Sequence, residues 1–162
     1  MSYTTFSLKQ EGAVLRVALS NPPVNLMNLK MTEELFQLSG QLFVDTSVKV
    51  VIVESADPEF FIAHFDLDDL VKSAADPSKA SKYPDINALQ ALALSWQGLP
   101  QVTIAKVQGR CRGAGLEFAM GLSMRFASED SKFCAPEASG GFLACGGGTT
   151  RIALAAGPAR AL

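Results

Sequence analysis

Long apolar runs are missing from this sequence. No window approaches the roughly 18 consecutive apolar residues that a membrane span needs. The opening MSYTTFSLKQEG is polar and lacks the apolar centre of a secretory signal. Charge of one sign is missing too: 14 basic against 16 acidic residues give a net charge of -2. That is too small to point to nucleic acid or a membrane surface. Cysteine is sparse, with three residues, Cys111, Cys134 and Cys145. Their number is odd and their spacing fits no metal site, so reduced thiols in a cytoplasmic protein are expected. There is one histidine, His64, and one tryptophan, Trp96. The acidic run Asp66, Asp68, Asp69 lacks the glycine and the closing glutamate of a calcium loop, so no metal is expected. Neither glycine-rich stretch is a nucleotide signature. Gly113-Ala114-Gly115 lacks the third glycine of the dinucleotide fingerprint, and GGGTT at 146–150 lacks the Lys-Ser/Thr of a phosphate loop.

What is present is a chain that can fold. Hydrophobic residues make up 48% of the 162 positions and charged residues 19%, which suits one domain over 1–162. Positions 6–10 and 13–19, around Glu11-Gly12, read as a β-hairpin. Asn28 can cap a helix whose Met31, Leu35, Leu38 and Leu42 share one face, with Glu33 and Glu34 favourably placed near its dipole. Positions 48–54 (VKVVIVE) and 103–107 (TIAKV) read as buried strands. Between them lie a loop, SADPEFFIAHFDLDDL, a Ser/Ala/Lys/Pro-rich stretch at 72–84 expected to be a flap or a disordered loop, and a helix over 85–96. Short strands follow at 126–127 and 132–134, and a helix at 149–156. Alternation of strands and helices predicts an α/β fold.

The stretch CRGAGLEFAMG, 111–121, carries the sharpest chemical question. A glycine turn opens a helix there, and bare amides at a helix start can hold a phosphate or a developing oxyanion. The same turn also serves simply to pack helix against strand. Glu117 then stands among small and apolar residues, where an unpaired carboxylate is costly. Glu137, in CAPEASGG, has similar neighbours. Two carboxylates in a dry cleft can act as an acid and a base, or each can cap backbone amides or face water. A lone histidine is more often structural than catalytic, although its titration range also allows a switch.

Taken in order, these segments resemble the crotonase superfamily of enoyl-CoA hydratases and isomerases. NPPVNLMNLKM is similar to the family's early strand-to-helix passage, and VKVVIVESADPEFFIAHFDLDDL to its first oxyanion segment. The block from LPQVTIAKVQGRCRGAGLEFAMG through GGGTTRIALAAGPARAL resembles the second oxyanion segment and active-site region. The resemblance implies a crotonase-like spiral of ββα units that binds an acyl-CoA thioester, with coenzyme A as part of the substrate and no separate cofactor. It implies that the amides of Phe65 and Ala114 hold the thioester oxygen. It also implies that Glu117 and Glu137 flank a water added across the C2–C3 bond of a 2-enoyl-CoA. A Δ3,Δ2-enoyl-CoA isomerase, which needs only Glu137 as its base, is the alternative, as is a non-catalytic acyl-CoA-binding protein. A homo-oligomer, trimeric or a dimer of trimers, is implied for the complete family fold.

Three departures bear on these implications. Ala63-His64-Phe65-Asp66 stands where the family usually has Ala-Gly-Ala-Asp, which makes His64 a candidate pocket residue. Ala144-Cys145 replaces the usual Pro-Gly, which makes Cys145 another. The family's C-terminal helical region does not follow, so an exposed apolar face is expected.

Overall fold

The computed structural model of the chain describes residues 3–75 and 85–161. Three successive strand pairs organise it. The first members, β3 (Val50–Ser55), β5 (Val102–Val107) and β7 (Met124–Ala127), lie side by side and parallel. The second members, β4 (Phe60–Ile62), β6 (Arg110–Arg112) and β8 (Lys132–Cys134), form a separate parallel three-stranded sheet. Each pair therefore advances one step in both sheets, and the chain winds as a spiral of ββα units. The hairpin of β1 (Phe6–Glu11) and β2 (Val14–Leu19) extends the larger sheet, whose order is β1-β2-β3-β5-β7.

Side-chain alternation sets the faces of this sheet. Leu15, Val17 and Leu19 of β2 are buried, as are Val51 and Val53 of β3 and Thr103, Ala105 and Val107 of β5. The run VKVVIVE is thus buried on one face only. On the other, Glu54 sits between Arg16 at 3.4 Å and Lys106 at 2.7 Å. Such exposed pairs add little stability but suit an open face.

Helix α1 (Leu29–Val44) starts where Asn28 accepts the amide of Met31 at 2.8 Å. Its apolar face, Met31, Leu35, Leu38 and Leu42, is buried. Glu34 departs from the expected dipole role. It turns inward at 3% exposure. There it accepts hydrogen bonds from the amides and hydroxyls of both Thr4 and Thr5, at 2.7 to 3.1 Å.

The stretch expected as a loop around 55–70 contains more structure than its sequence suggests. It holds β4 and, from Leu67, helix α2 (Leu67–Ala75). Asp66 caps α2 through the amides of Asp68 and Asp69, and Asp69 accepts the amide of Leu29 at 3.0 Å, tying α2 to the start of α1. Of the expected flap, 72–75 continue α2, while 76–84 lie outside the described residues.

Helix α3 (Ala88–Gln97) begins in a capping box between Asn87 and Gln90. Its Trp96 is core, with its indole N–H donated to the Leu35 carbonyl at 3.2 Å and its ring edge-on to Phe118 at 5.3 Å. Helix α4 (Ala114–Ala119) packs on α3, β4 and β6. A 3₁₀ turn (Pro136–Gly140), α5 (Gly148–Ala156) and α6 (Pro158–Ala161) follow. Large apolar side chains are exposed at Met124, Phe126, Phe133, Leu143 and Leu154. Among the described residues no helix is long and apolar enough to cross a membrane, and no three His, Cys, Asp or Glu cluster as metal ligands.

Candidate active site

A cavity of about 360 Å³ opens between α2, α3, α4 and the 3₁₀ turn. All six site residues read from the sequence line it: His64, Phe65, Ala114, Glu117, Glu137 and Cys145. Leu67, Leu70, Leu89, Phe142 and Leu143 complete a mostly apolar wall. An apolar cavity with a few converging polar groups is the usual form of a small-molecule site.

Two residues that line it, Phe65 and Ala114, have backbone amides without an acceptor among the described residues, for separate reasons. Residues 25–27 run beside 63–66, and Met27 forms an isolated parallel bridge with Phe65. In that bridge Met27 takes its bonds from the flanking residues: its amide donates to the His64 carbonyl at 2.9 Å, and its carbonyl accepts the Asp66 amide at 2.8 Å. The Phe65 amide is left facing the other way, with no acceptor among the described residues. Ala114 is the first residue of α4, so its amide has no carbonyl a turn earlier to bond within the helix.

The turn before α4 is built around Gly113. Its φ of 51° lies in the left-handed region that glycine tolerates. A Cβ placed there would also come within 2.8 Å of Glu137 Oε1. The Gly113 amide is bonded to the Cys134 carbonyl at 2.9 Å, which ties the turn to β8 just before the 3₁₀ turn carrying Glu137.

Glu117 is 4% exposed. Its Oε1 accepts the amide of Gly148, at the start of α5, at 2.9 Å. Burial pushes its pKa above the ordinary carboxylate range. Amide hydrogen bonds from Gly148 and Gly146 act against that, the nearby Glu137 reinforces it, and the charge of Arg151 opposes it. Glu137 is half-buried, and its Oε2 is enclosed with no hydrogen-bond partner among the described residues. Two carboxylates thus meet in one apolar cavity, one held by amides and one with a free oxygen. A water or a substrate proton held between them could be taken up by one and supplied by the other.

His64 donates from Nδ1 to the Phe65 carbonyl at 2.7 Å, because a carbonyl can only accept. The remaining ring nitrogen has no protein partner among the described residues. The Cys145 carbonyl accepts from Asn87 Nδ2 at 2.7 Å, which fastens this loop to the head of α3. The three cysteines are free; burial pushes the Cys111 thiol up to about 12, so it is inert at neutral pH.

Sequence reasoning missed Leu89, Phe142 and Leu143 as cavity walls and Gly148 as the partner of Glu117. Asn87 could have been found: Asn87-x-x-Gln90 is the spacing of a capping box.

Residues 9–162 match the enoyl-CoA hydratase/isomerase family. A Bacillus subtilis protein provisionally named an enoyl-CoA hydratase is 30% identical over 158 residues, covering 96% of this chain and 59% of that protein. A provisionally named enoyl-CoA hydratase from Streptomyces avermitilis, of known structure, superposes with a TM-score of 0.88 at 39% identity, over 99% of this chain and 60% of the other. The enoyl-CoA hydratase of Geobacillus kaustophilus gives a TM-score of 0.88 at 31% identity, again over 99% and 60%. The chain therefore spans about six tenths of the length of these relatives. With the spiral of strand pairs and the match along nearly its whole length, this chain belongs to the enoyl-CoA hydratase/isomerase family of the crotonase superfamily.

Proposed function

We propose that the cavity takes the acyl thioester of a 2-enoyl-CoA and that its two glutamates add water across the C2–C3 bond. The observation that carries this is the convergence of Glu117 and Glu137 on one apolar cavity that is also lined by Phe65 and Ala114, whose amides are unbonded among the described residues. The thioester oxygen accepts from both amides and draws electron density away from C3. Glu117 takes a proton from the water as its oxygen bonds to C3. The resulting enolate is held by the amides until Glu137 delivers a proton to C2, which re-forms the thioester carbonyl. Fixed amides aimed at developing charge are worth on the order of a hundredfold each, and general acid–base help about 10²–10⁴-fold. The environments suit these roles. A carboxylate with its pKa raised by burial is a stronger base than a solvated one. The free oxygen of Glu137 has no competing protein partner among the described residues.

The test is loss of ultraviolet absorbance of the conjugated thioester when the chain is mixed with crotonyl-CoA. Hydration that disappears in both Glu117→Gln and Glu137→Gln supports the reading. Retained double-bond migration in Glu117→Gln would identify an isomerase instead. Binding of crotonyl-CoA without turnover would reduce the chain to an acyl-CoA-binding protein.

A further inference from the structure

Arg151 lies behind the cavity wall rather than on it, but it holds the loop that holds Glu117. Its Nη1 donates to the Gly146 carbonyl at 3.2 Å, and its own amide donates to the Gly147 carbonyl at 2.9 Å. The 146–148 loop is therefore gripped through both side chain and backbone. That loop supplies the Gly148 amide that bonds Glu117 Oε1 at 2.9 Å.

Folding back over the loop requires empty space. Gly147 has a φ of 108°, and a Cβ built on it would collide with the Arg151 guanidinium. The geometry is also electrostatically odd on its own terms. Arg151 is near the start of α5, and its charge is turned toward the helix N-terminus, the end that disfavours cations. A buried carboxylate at that same helix end resolves the oddity. Among the described residues, the other titratable groups on this cavity are Glu137 of the 3₁₀ turn, His64, ahead of α2, and Cys145, ahead of α5, while α3 presents Leu89. Burial raises the Glu117 pKa, and the charge of Arg151 works against that rise.

We propose that Arg151 is the positioning residue for Glu117, closing the 146–148 loop beneath its carboxylate and supplying the positive charge opposite it. Its catalytic consequence rests on the reading of Glu117 as the base that activates water. Arg151→Met removes both charge and hydrogen bond, Arg151→Lys keeps the charge, and Gly147→Ala pushes the guanidinium aside while leaving Arg151 unchanged.

The titration of the Glu117 carboxyl is followed by NMR on chain carrying ¹³C-labelled glutamate, with Glu117→Gln assigning the signal. The midpoint is expected to move up in Arg151→Met and Gly147→Ala and to return toward wild type in Arg151→Lys. In crotonyl-CoA hydration, kcat should fall about threefold to tenfold on the acid limb, with little loss on the plateau and KM changed by less than about twofold. A midpoint that coincides with wild type in both Arg151→Met and Gly147→Ala overturns the proposal, as does a loss of equal size at every pH. The titration needs no turnover. A raised midpoint in a chain that fails to hydrate crotonyl-CoA keeps the Arg151 assignment and refutes the hydratase reading instead.

Discussion

Glu34→Gln tests the energetic reasoning most directly, because the structure sets both its size and its pH window. Burial alone would favour the protonated form of Glu34. The hydrogen bonds from Thr5 and Thr4 outweigh that and hold the carboxyl well below its ordinary 4.5, at about 2. A tenfold change in proton affinity is worth about 1.4 kcal/mol, so the charged form contributes roughly 3 kcal/mol to folding at neutral pH. The folded-state pKa is depressed, so this stability is fully present above the unfolded value of 4.5 and is lost as pH falls toward about 2. Glutamine cannot replace it, since its NH₂ would face the same amide and hydroxyl donors. At pH 7 the variant should lose about 6–12 °C in Tm for a chain of this size. Paired urea melts from pH 7 down to pH 2.5 check it. Wild type should lose stability faster than Glu34→Gln on acidification, so that the two curves converge. Parallel curves, or a difference under about 1 kcal/mol at pH 7, would refute the account of Thr4 and Thr5 as the clamp on this carboxylate.

Glu117 gives the opposite linkage. Its folded-state pKa is raised, so the charged form burdens the fold, and the contribution to stability falls as pH rises through the ordinary carboxylate value and the raised one. Glu117→Gln should therefore melt higher than wild type at pH 8 by calorimetry, while hydration of crotonyl-CoA falls about 10²–10⁴-fold. Gly113→Ala should remove activity while keeping the far-ultraviolet dichroism, because its Cβ strains the turn and displaces Glu137. Trp96→Phe should cost about 2 kcal/mol in urea melts, from the lost bond to the Leu35 carbonyl and the smaller ring against Phe118. Asp69→Ala should cost about 1 kcal/mol, since it leaves the Leu29 amide without its acceptor.

Local signals carried most of the scaffold. The hairpin turn at Glu11-Gly12, the Asn28 cap and the apolar spacing of α1 are all properties of neighbouring residues, and each has its counterpart in the structure. What escaped depends on distant partners. β4 is three residues long and exists because it pairs with β6, some fifty positions later. Glu34 reads as an exposed helix carboxylate until the threonines 29 and 30 positions earlier turn it inward. The site shows the same division. Glu117 and Glu137 stood out because carboxylates among small apolar residues are anomalous. Phe65 and Ala114 came from the family resemblance, since a backbone amide leaves no mark in side-chain chemistry. Arg151 was invisible because its role arises only when the 146–148 loop folds under it.

The bridge at Met27 has a consequence for exchange with solvent. The amides of Met27 and Asp66 are engaged in the bridge, and that of Ala63 donates to the Asn25 carbonyl at 3.2 Å. Phe65 lies among them with its amide unengaged. Deuterium should therefore enter position 65 quickly and positions 27, 63 and 66 slowly. A bound carbonyl compound that accepts from Phe65 would slow that proton while leaving its neighbours nearly unchanged. Occupancy of the site could then be followed at a single amide, without waiting for any bond to be made or broken.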